Sequence, residues 1–191
     1  MFIKRLRANP DSSELNELYE SPHDHLAWGA SHDIRVRATI EMGKWLGLQF
    51  PIDSIADLST GNAAIPKGIA GEDTTLFLGD FAKGYEFTGP ITQTIEKIPK
   101  VDLFVLSETI EHVEDPEFVL RKIRNKASLL LISTPIGEDL NEDGKANPEH
   151  LWGWDQEGLL SILNKSGWTE VICRIDVVFL NTYSYQVWSM R

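Results

Sequence analysis

An apolar segment that ends abruptly in ionisable residues is the feature that most limits how this chain can fold. Within residues 101–135, the apolar run 103–106 stops at Ser107 and Glu108. Strands that are apolar on both faces belong to parallel sheets covered by helices on both sides. In open sheets of this kind, ligands bind beyond the carboxyl ends of the strands. The segment therefore predicts a parallel α/β sheet with a binding site that begins near Ser107.

Alternating strand and helix patterns extend this prediction along the chain. We expect strands at 54–58, 74–78, 85–88, 102–106 and 128–133, and helices at 33–48, 62–70, 115–125 and 155–166. The first helix is expected to bury one face, formed by Ile34, Ala38, Met42, Trp45 and Leu46. Two final strands, 170–178 and 183–190, leave no room for a helix between them and should pair antiparallel at the sheet edge. The predicted fold is a three-layer α/β/α sandwich.

The length of 191 residues fits a single domain with a full hydrophobic core. Residues 1–32 are polar and are expected to form an N-terminal cap or lid, while residues 33–191 form the core. The segment 138–154 is long, polar and rich in turn formers, which is typical of functional or mobile loops.

Composition limits the partners and the compartment. With 29 acidic and 18 basic residues, the net charge of −11 disfavours nucleic acid as a partner. Cys173 is the only cysteine, so neither an internal disulfide nor a cysteine-based metal site is possible. No secretory signal or membrane-spanning run is apparent. We expect a cytoplasmic protein, and its oligomeric state stays open.

Two positions near the first predicted strands suggest a nucleotide-like ligand. Gly61 lies in a tight turn between a strand and a helix, where it permits a positive φ and close approach by a ligand. Asp80 follows the second strand, 23 positions after Asp57, where a carboxylate can accept both hydroxyl protons of a ribose. The alternatives are a purely structural turn at Gly61 and a surface helix cap at Asp80.

A third group follows the apolar run itself. Glu108, Glu111 and His112 are spaced i, i+3 and i+4, so they share one side if this turn is helical. His112 suits a general base because its ordinary pKa lies near neutrality. Alternatively, these three residues and the distant His150 could bind a divalent metal, or they could only organise the loop through hydrogen bonds.

Together these segments resemble the class I S-adenosylmethionine-dependent methyltransferases, in particular the group of ubiquinone-type and small-molecule enzymes. The matching segments are D-L-S-T-G-N-A at 57–63, D-L-F-V-L-S-E-T-I-E-H-V-E-D-P at 102–116, L-L-L-I-S-T-P at 129–135, and the His-led stretch 150–168. The resemblance implies a Rossmann-like fold, S-adenosyl-L-methionine as cofactor, and methyl transfer to an oxygen or nitrogen of a small molecule.

The resemblance also implies roles for the matching positions. The implied cofactor-binding residues are Asp57, Ser59, Gly61, Asp80, Phe81, Ile91, Ser107 and Glu108. Among them, Asp80 would hold the ribose, Phe81 would pack on the adenine, and Ile91 would offer its backbone N–H. His112 is the first candidate for the catalytic base and His150 the second. Apart from the resemblance, the N-terminal segment could close over the cofactor with Arg35 paired to its carboxylate, or its residues could only pack the cap. The segment contains Tyr19, His25, Trp28, His32 and Arg35.

Several positions depart from the family pattern. Ser59 and Ala63 replace expected glycines, and eight residues between Asp80 and Gly89 leave no room for the usual helix. A non-catalytic cofactor-binding or interaction module on the same fold is therefore the alternative from another functional class.

The E-x-x-E-H pattern at 108–112 and the stretch H-L-W-G-W at 150–154 also resemble the metal site of small-RNA 2′-O-methyltransferases. Metal-independent enzymes carry the same pattern, and the net charge of −11 is unfavourable for binding RNA. The sequence analysis therefore assigns no metal ligand, and a metal-dependent RNA enzyme is a further alternative.

Overall fold

A seven-stranded β-sheet covered by helices forms the core of the protein. The computed structural model describes all residues except 12, 15, 16, 18, 21–29, 139–148, 179, 180 and 191. The strands are β1 Ile3–Arg5, β2 Ser54–Asp57, β3 Thr75–Asp80, β4 Phe87–Thr88, β5 Val101–Ser107, β6 Ala127–Ile136, β7 Trp152–Trp154, β8 Trp168–Val178 and β9 Asn181–Met190. The helices are α1 Ala30–Gln49, α2 Ala64–Ile69, α3 Ile91–Thr94, α4 Pro116–Arg124 and α5 Gln156–Lys165, with a 3₁₀ turn at Ile110–His112.

The strand order of the sheet is β4-β3-β2-β5-β6-β9-β8. Strands β4, β3, β2, β5 and β6 are parallel, whereas β9 is antiparallel to both β6 and β8. The predicted mostly parallel Rossmann-like sheet with a C-terminal edge pair is confirmed. The direction of strand addition reverses between β2 and β5, which is where open sheets place their ligands.

Side-chain alternation along β5 divides the core into two layers. Leu103 and Val105 pack with α1 and α2 on one face of the sheet. Phe104 and Leu106 pack with α4 and α5 on the other face. All four side chains are completely buried, as expected for a central strand apolar on both faces. The predicted three-layer arrangement follows from this alternation.

The predicted buried face of α1 is wrong at two positions. Ala38, Met42 and Leu46 are buried as expected, but 46% of Ile34 and 38% of Trp45 are exposed. The helix is rotated so that Arg35 lies in the interior with only 1% of its surface exposed. The charged side chain, rather than the larger apolar one, therefore faces the sheet.

Residues near the N-terminus join the core through a pairing that the sequence did not predict. Strand β1 pairs antiparallel with β7 as a separate two-stranded sheet. Phe2 lies so close to α5 that a Cβ atom at Gly158 would be 2.1 Å from its carbonyl oxygen. The pairing brings Asn9 and Pro10 to the edge of the cavity described below. In the part of the chain that the structure describes, no helix is both long and apolar enough to cross a membrane.

Candidate active site

A cavity of about 660 Å³ opens at the carboxyl ends of β2, β3, β5 and β6. Its size falls within the range of about 300–1,000 Å³ that is usual for small-molecule sites. The strand ends contribute Ser59, Asp80, Glu108 and Pro135 to its lining. The cavity therefore lies at the topological switch point of the sheet.

Asp80 and the turn at Gly61 form one wall of the cavity. The Asp80 carboxylate accepts hydrogen bonds from the backbone N–H of Gly61 at 2.8 Å and of Ala82 at 2.9 Å. Gly61 has a φ of 54°, and its carbonyl oxygen accepts a hydrogen bond from the Tyr85 hydroxyl at 2.6 Å. A carboxylate has about four acceptor positions, so Asp80 retains capacity for hydroxyl groups of a ligand.

Asp57 supports this wall from behind and is absent from the described residues that line the cavity. Its carboxylate accepts a hydrogen bond from the backbone N–H of Ser59 at 3.1 Å. Burial raises the pKa of Asp57 to about 7, and the negative charge of Asp80 contributes in the same direction. Ser59 does line the cavity, and its hydroxyl lies 2.7 Å from that of Thr109 at the end of β5.

Ala63, one of the two residues that replace expected glycines, lies away from the cavity. Ala63 has a φ of 60°, in the left-handed region that favours glycine. It is fully buried and does not belong to the described lining. Its methyl group therefore leaves the volume of the cavity unchanged.

Arg35 lines the cavity as a buried cation. Its Nη1 atom donates a hydrogen bond to the Ser107 hydroxyl at 2.9 Å, and its Nε atom lies 3.9 Å from Oε2 of Glu108. Among the described residues, neither Nε nor Nη2 has a hydrogen-bond partner. Buried polar groups are nearly always hydrogen-bonded, so the guanidinium is suited to bind an anionic group inside the cavity.

Ser107 acts on the cavity through Arg35, because it does not itself belong to the described lining. Its hydroxyl lies 2.7 Å from that of Ser133 on the neighbouring strand β6. Ser133 in turn donates a hydrogen bond to Glu108 at 3.3 Å. The four side chains form one buried polar network at the ends of β5 and β6.

Glu108 follows β5 directly and has a strained backbone. Its φ of 49° is unusual for a residue with a side chain, and such strain concentrates at functional sites. Burial raises the pKa of its carboxyl group, while the charge of Arg35 opposes that rise.

Glu111, His112 and His150 meet at the other end of the cavity. One potential ligand atom from each lies within 4.8 Å of those from the other two. The two imidazole rings pack edge to face with their centroids 4.8 Å apart. The Nδ1 atom of His112 lies 3.0 Å from the carbonyl oxygen of Glu149, and Nδ1 of His150 contacts the Glu138 carboxylate. This end of the cavity is therefore rich in carboxylates and imidazoles.

Burial and neighbouring charges shift the titration of this group. Burial raises the pKa of Glu111 to about 8, and the charge of Glu108 adds to the rise. Burial alone would lower the pKa of His150, but the contact with Glu138 and the charge of Glu111 outweigh it, and the pKa is raised.

The opposite end of the cavity is more apolar. Phe81, Pro90 and Ile91 line it, and Tyr19 of the lining packs against Phe81. The rings of Phe81 and Tyr19 are 5.5 Å apart and tilted by 55°. A flat aromatic group of a ligand could stack on an aromatic ring and pack against aliphatic carbon atoms here.

The structure brings together most of the site predicted from the sequence. All predicted cofactor-binding and catalytic residues except Asp57 and Ser107 line the cavity, whereas Glu111, a candidate metal ligand, contacts the cluster from outside the described lining. Thr109, Glu138 and Glu149 also line the cavity and were not predicted from the sequence, although the last two belong to the segment 138–154, which is typical of functional or mobile loops. No signal in the sequence pointed to Thr109.

The tryptophans of this segment pack against protein instead of lining the cavity. Trp154 is completely buried, and Trp152 donates a hydrogen bond from Nε1 to the carbonyl oxygen of Val113 at 3.0 Å. His25 and Trp28 of the N-terminal segment lie outside the described residues.

Comparisons with solved structures define the fold. Similar structures include the magnesium protoporphyrin IX methyltransferase of Synechocystis PCC 6803 with bound SAH, at a TM-score of 0.67, 9% identity and coverage of 94% of both chains. Another is the 1,6-didemethyltoxoflavin-N1-methyltransferase of Burkholderia thailandensis, at a TM-score of 0.70 and 12% identity. The match covers 99% of this chain and 95% of that one. The [4+2]-cyclase SpnF is also similar, at a TM-score of 0.70 and 9% identity, and the match covers 97% of this chain and 98% of that one.

No protein-family model and no curated protein matches the sequence. The chain therefore has the fold of the class I methyltransferases, established by structure rather than by sequence similarity.

Proposed function

We propose that the protein is an S-adenosyl-L-methionine-dependent methyltransferase that acts on an oxygen or nitrogen of a small-molecule acceptor in the cytoplasm. The observation that carries this proposal is the pairing of two groups in one cavity: the Asp80 carboxylate and the buried guanidinium of Arg35. Neighbours of the same fold are methyltransferases with bound SAH, which supports the choice of cofactor.

The residues present fit this cofactor. Asp80 would accept hydrogen bonds from the ribose hydroxyls, with the adenine between Phe81 and Ile91. Arg35 has two buried nitrogen atoms without hydrogen-bond partners among the described residues, which suits the carboxylate of the methionine part. Ser59 and Gly61 would lie beneath the chain that connects these two ends.

The cofactor supplies a methyl group already activated by a sulfonium. The main work of the protein is then to hold the acceptor in line with that methyl group and to exclude water. Transfer of that methyl group would leave the acceptor with a proton to lose. The proton that the acceptor loses would pass to the polar end of the cavity, where His112 is the first candidate base and His150 the second.

A thermal-shift titration tests the proposal first. A ligand that binds only the folded state must raise the melting temperature with its concentration. We expect S-adenosylmethionine and S-adenosylhomocysteine to do so, and Asp80→Ala to abolish most of the shift. The exposed Asp73→Ala variant is the control and should retain it. If neither compound shifts the melting temperature of the wild-type protein, the proposal is wrong.

A non-catalytic or non-methylating role is the second candidate. The similarity to a [4+2]-cyclase favours the non-methylating role, because it shows that the fold supports chemistry other than methyl transfer. The two candidates differ in turnover: with a panel of small hydroxyl and amine compounds, the leading proposal expects release of S-adenosylhomocysteine. Cofactor binding without any release across the panel would favour the second candidate.

A further inference from the structure

We propose that Glu111, His112 and His150 bind one divalent first-row transition-metal ion, such as Zn²⁺, Mn²⁺ or Co²⁺, at the polar end of the cavity. The sequence contains four candidate ligands, and their spacing alone does not determine which of them meet. The structure brings three of them to within 4.8 Å of one another. Glu108 differs, because its carboxylate is directed to Ser133 and Arg35.

The carboxylate of Glu111 is the strongest observation for this site. The side chain is completely buried, and its Oε2 atom accepts a hydrogen bond from Thr134 at 3.0 Å. Its Oε1 atom has no hydrogen-bond partner among the described residues and lies 3.9 Å from Nε2 of His112. A buried carboxylate oxygen left unsatisfied beside an imidazole is suited to coordinate a cation.

Both histidines are oriented as metal ligands usually are. A backbone carbonyl can only accept, so Nδ1 of His112 donates to Glu149, and in the neutral ring the lone pair lies on Nε2. Nδ1 of His150 contacts the Glu138 carboxylate in the same manner. Metal-ligating histidines typically bond through their second nitrogen to a carbonyl or a carboxylate, which fixes the ring.

The distances are compatible with a site that closes on an ion. Ligands held about 2.0–2.2 Å from such an ion lie roughly 3.4 Å apart in a tetrahedral arrangement. The separations of up to 4.8 Å thus require movements of about 1 Å, shared among three side chains. Two imidazoles and one carboxylate favour a transition metal over Mg²⁺ or Ca²⁺, which prefer oxygen ligands.

An ion held by three side chains keeps coordination positions for a small molecule. Because His112 and His150 both line the cavity, those positions would be accessible to a molecule bound there. This part of the inference rests on the proposed function: an acceptor with a hydroxyl group would be oriented there, and the ion would facilitate loss of its proton. The two histidines would then assist deprotonation by holding the ion instead of taking the proton themselves. The preferred acceptor class is therefore a hydroxyl compound rather than an amine.

Calorimetric titration of the chelator-treated wild-type protein with ZnCl₂ or CoCl₂, in the absence of any cofactor, tests the site. We expect one ion per chain, and for Co²⁺ a visible absorption band from bound nitrogen ligands. His112→Asn and His150→Asn should each weaken binding at least tenfold. Glu114→Gln removes a carboxylate of the same cavity outside the three-residue group and should leave the affinity unchanged.

Glu111→Gln is a third variant, and thermal unfolding of every variant shows whether it is folded. No stoichiometric binding to the wild type, or an equal loss in Glu114→Gln and the histidine variants, would overturn the proposal. A parallel titration with S-adenosylhomocysteine separates the two hypotheses. Cofactor binding without metal binding refutes the metal site alone, and metal binding without cofactor binding refutes the proposed function alone.

Discussion

Arg35 is a buried cation in the lining of the cavity. A guanidinium with 1% exposure is expensive to maintain unless its nitrogen atoms have partners. Ser107 satisfies one of them, and Glu108 is 3.9 Å from another. The incomplete pairing is understandable if an anionic group of the ligand completes it.

Replacement of Arg35 by methionine tests this role. Loss of charge-assisted hydrogen bonds worth about 1.5–3 kcal/mol should weaken binding of S-adenosylhomocysteine roughly 10- to 100-fold. Arg37→Met on the same helix is the control, because Arg37 is exposed and paired with Asp33. Calorimetry gives both affinities. An Arg35→Met protein that is folded and binds as tightly as the wild type would remove Arg35 from the site.

Because Asp57 is buried, we expect the stability of the protein to depend on the protonation of its carboxyl group. Its folded-state pKa of about 7 is above its unfolded value, so the stability linked to its protonation is fully present below about pH 4 and is lost as the pH rises through 7. Asp57→Asn keeps an acceptor for Ser59 but does not ionise. The free energy of unfolding of the variant, relative to that of the wild type, should therefore increase as the pH rises from 4.5 to 7.5. The expected increase is on the order of a few kcal/mol.

Urea unfolding of both proteins without ligand, at the two pH values, measures that gain. The exposed Asp73→Asn variant controls for general effects of removing one negative charge. A difference between Asp57→Asn and the wild type that stays constant with pH would show that Asp57 does not carry this burial penalty.

Two glycines of α1, Gly43 and Gly47, lie one turn apart. Substituting each by alanine distinguishes the effect of helix propensity on stability from the effect of packing between helices. A Cβ atom at Gly47 would meet nothing within 4 Å, whereas one at Gly43 would be 2.4 Å from Ile69 of α2. Gly47→Ala should raise the free energy of unfolding by about 0.5–1 kcal/mol. Gly43→Ala should lower it by about 1–3 kcal/mol through overpacking of the α1–α2 contact.

Urea denaturation curves of the two variants provide the comparison. Equal stabilisation by both substitutions would mean that α1 and α2 do not pack at Gly43 as described. The same close contact occurs reciprocally at Gly68 of α2, where a Cβ atom would be 2.6 Å from Ile40.

The elements that the sequence predicted best are those whose environment is uniform. Both neighbours of β5 are parallel strands and both faces are covered, so its apolar run is an unambiguous signal. The orientation of α1 was harder to predict, because the polar network around Ser107 draws Arg35 inward at the expense of Trp45. Strand β7 forms only by pairing with β1, nearly 150 residues away, and local patterns contain no information about such a contact.

The site divides in the same way between predictable and unpredictable parts. Asp80 and Gly61 lie at positions dictated by strand ends, so spacing along the sequence located them. The meeting of His150 with Glu111 depends on the course of the chain between β6 and β7, which no local rule determines. Sequence reasoning therefore named the candidate metal ligands without being able to select the three that assemble.

At the scale of the whole molecule, fold and function are separate conclusions. The strand order and the structural neighbours establish a class I methyltransferase fold. A cyclase with the same fold shows that the chemistry must be argued from the cavity. Here the cavity joins an apolar end, the Asp80 carboxylate, the buried Arg35 guanidinium, and a cluster of carboxylates and imidazoles.

A crystal structure of the protein with S-adenosylhomocysteine tests the central claim most directly. The account predicts the ribose hydroxyls at Asp80, the amino-acid carboxylate at Arg35, and the sulfur facing His112 and His150. Binding of S-adenosylhomocysteine elsewhere, or in this cavity with its carboxylate away from Arg35 and its ribose away from Asp80, would contradict it.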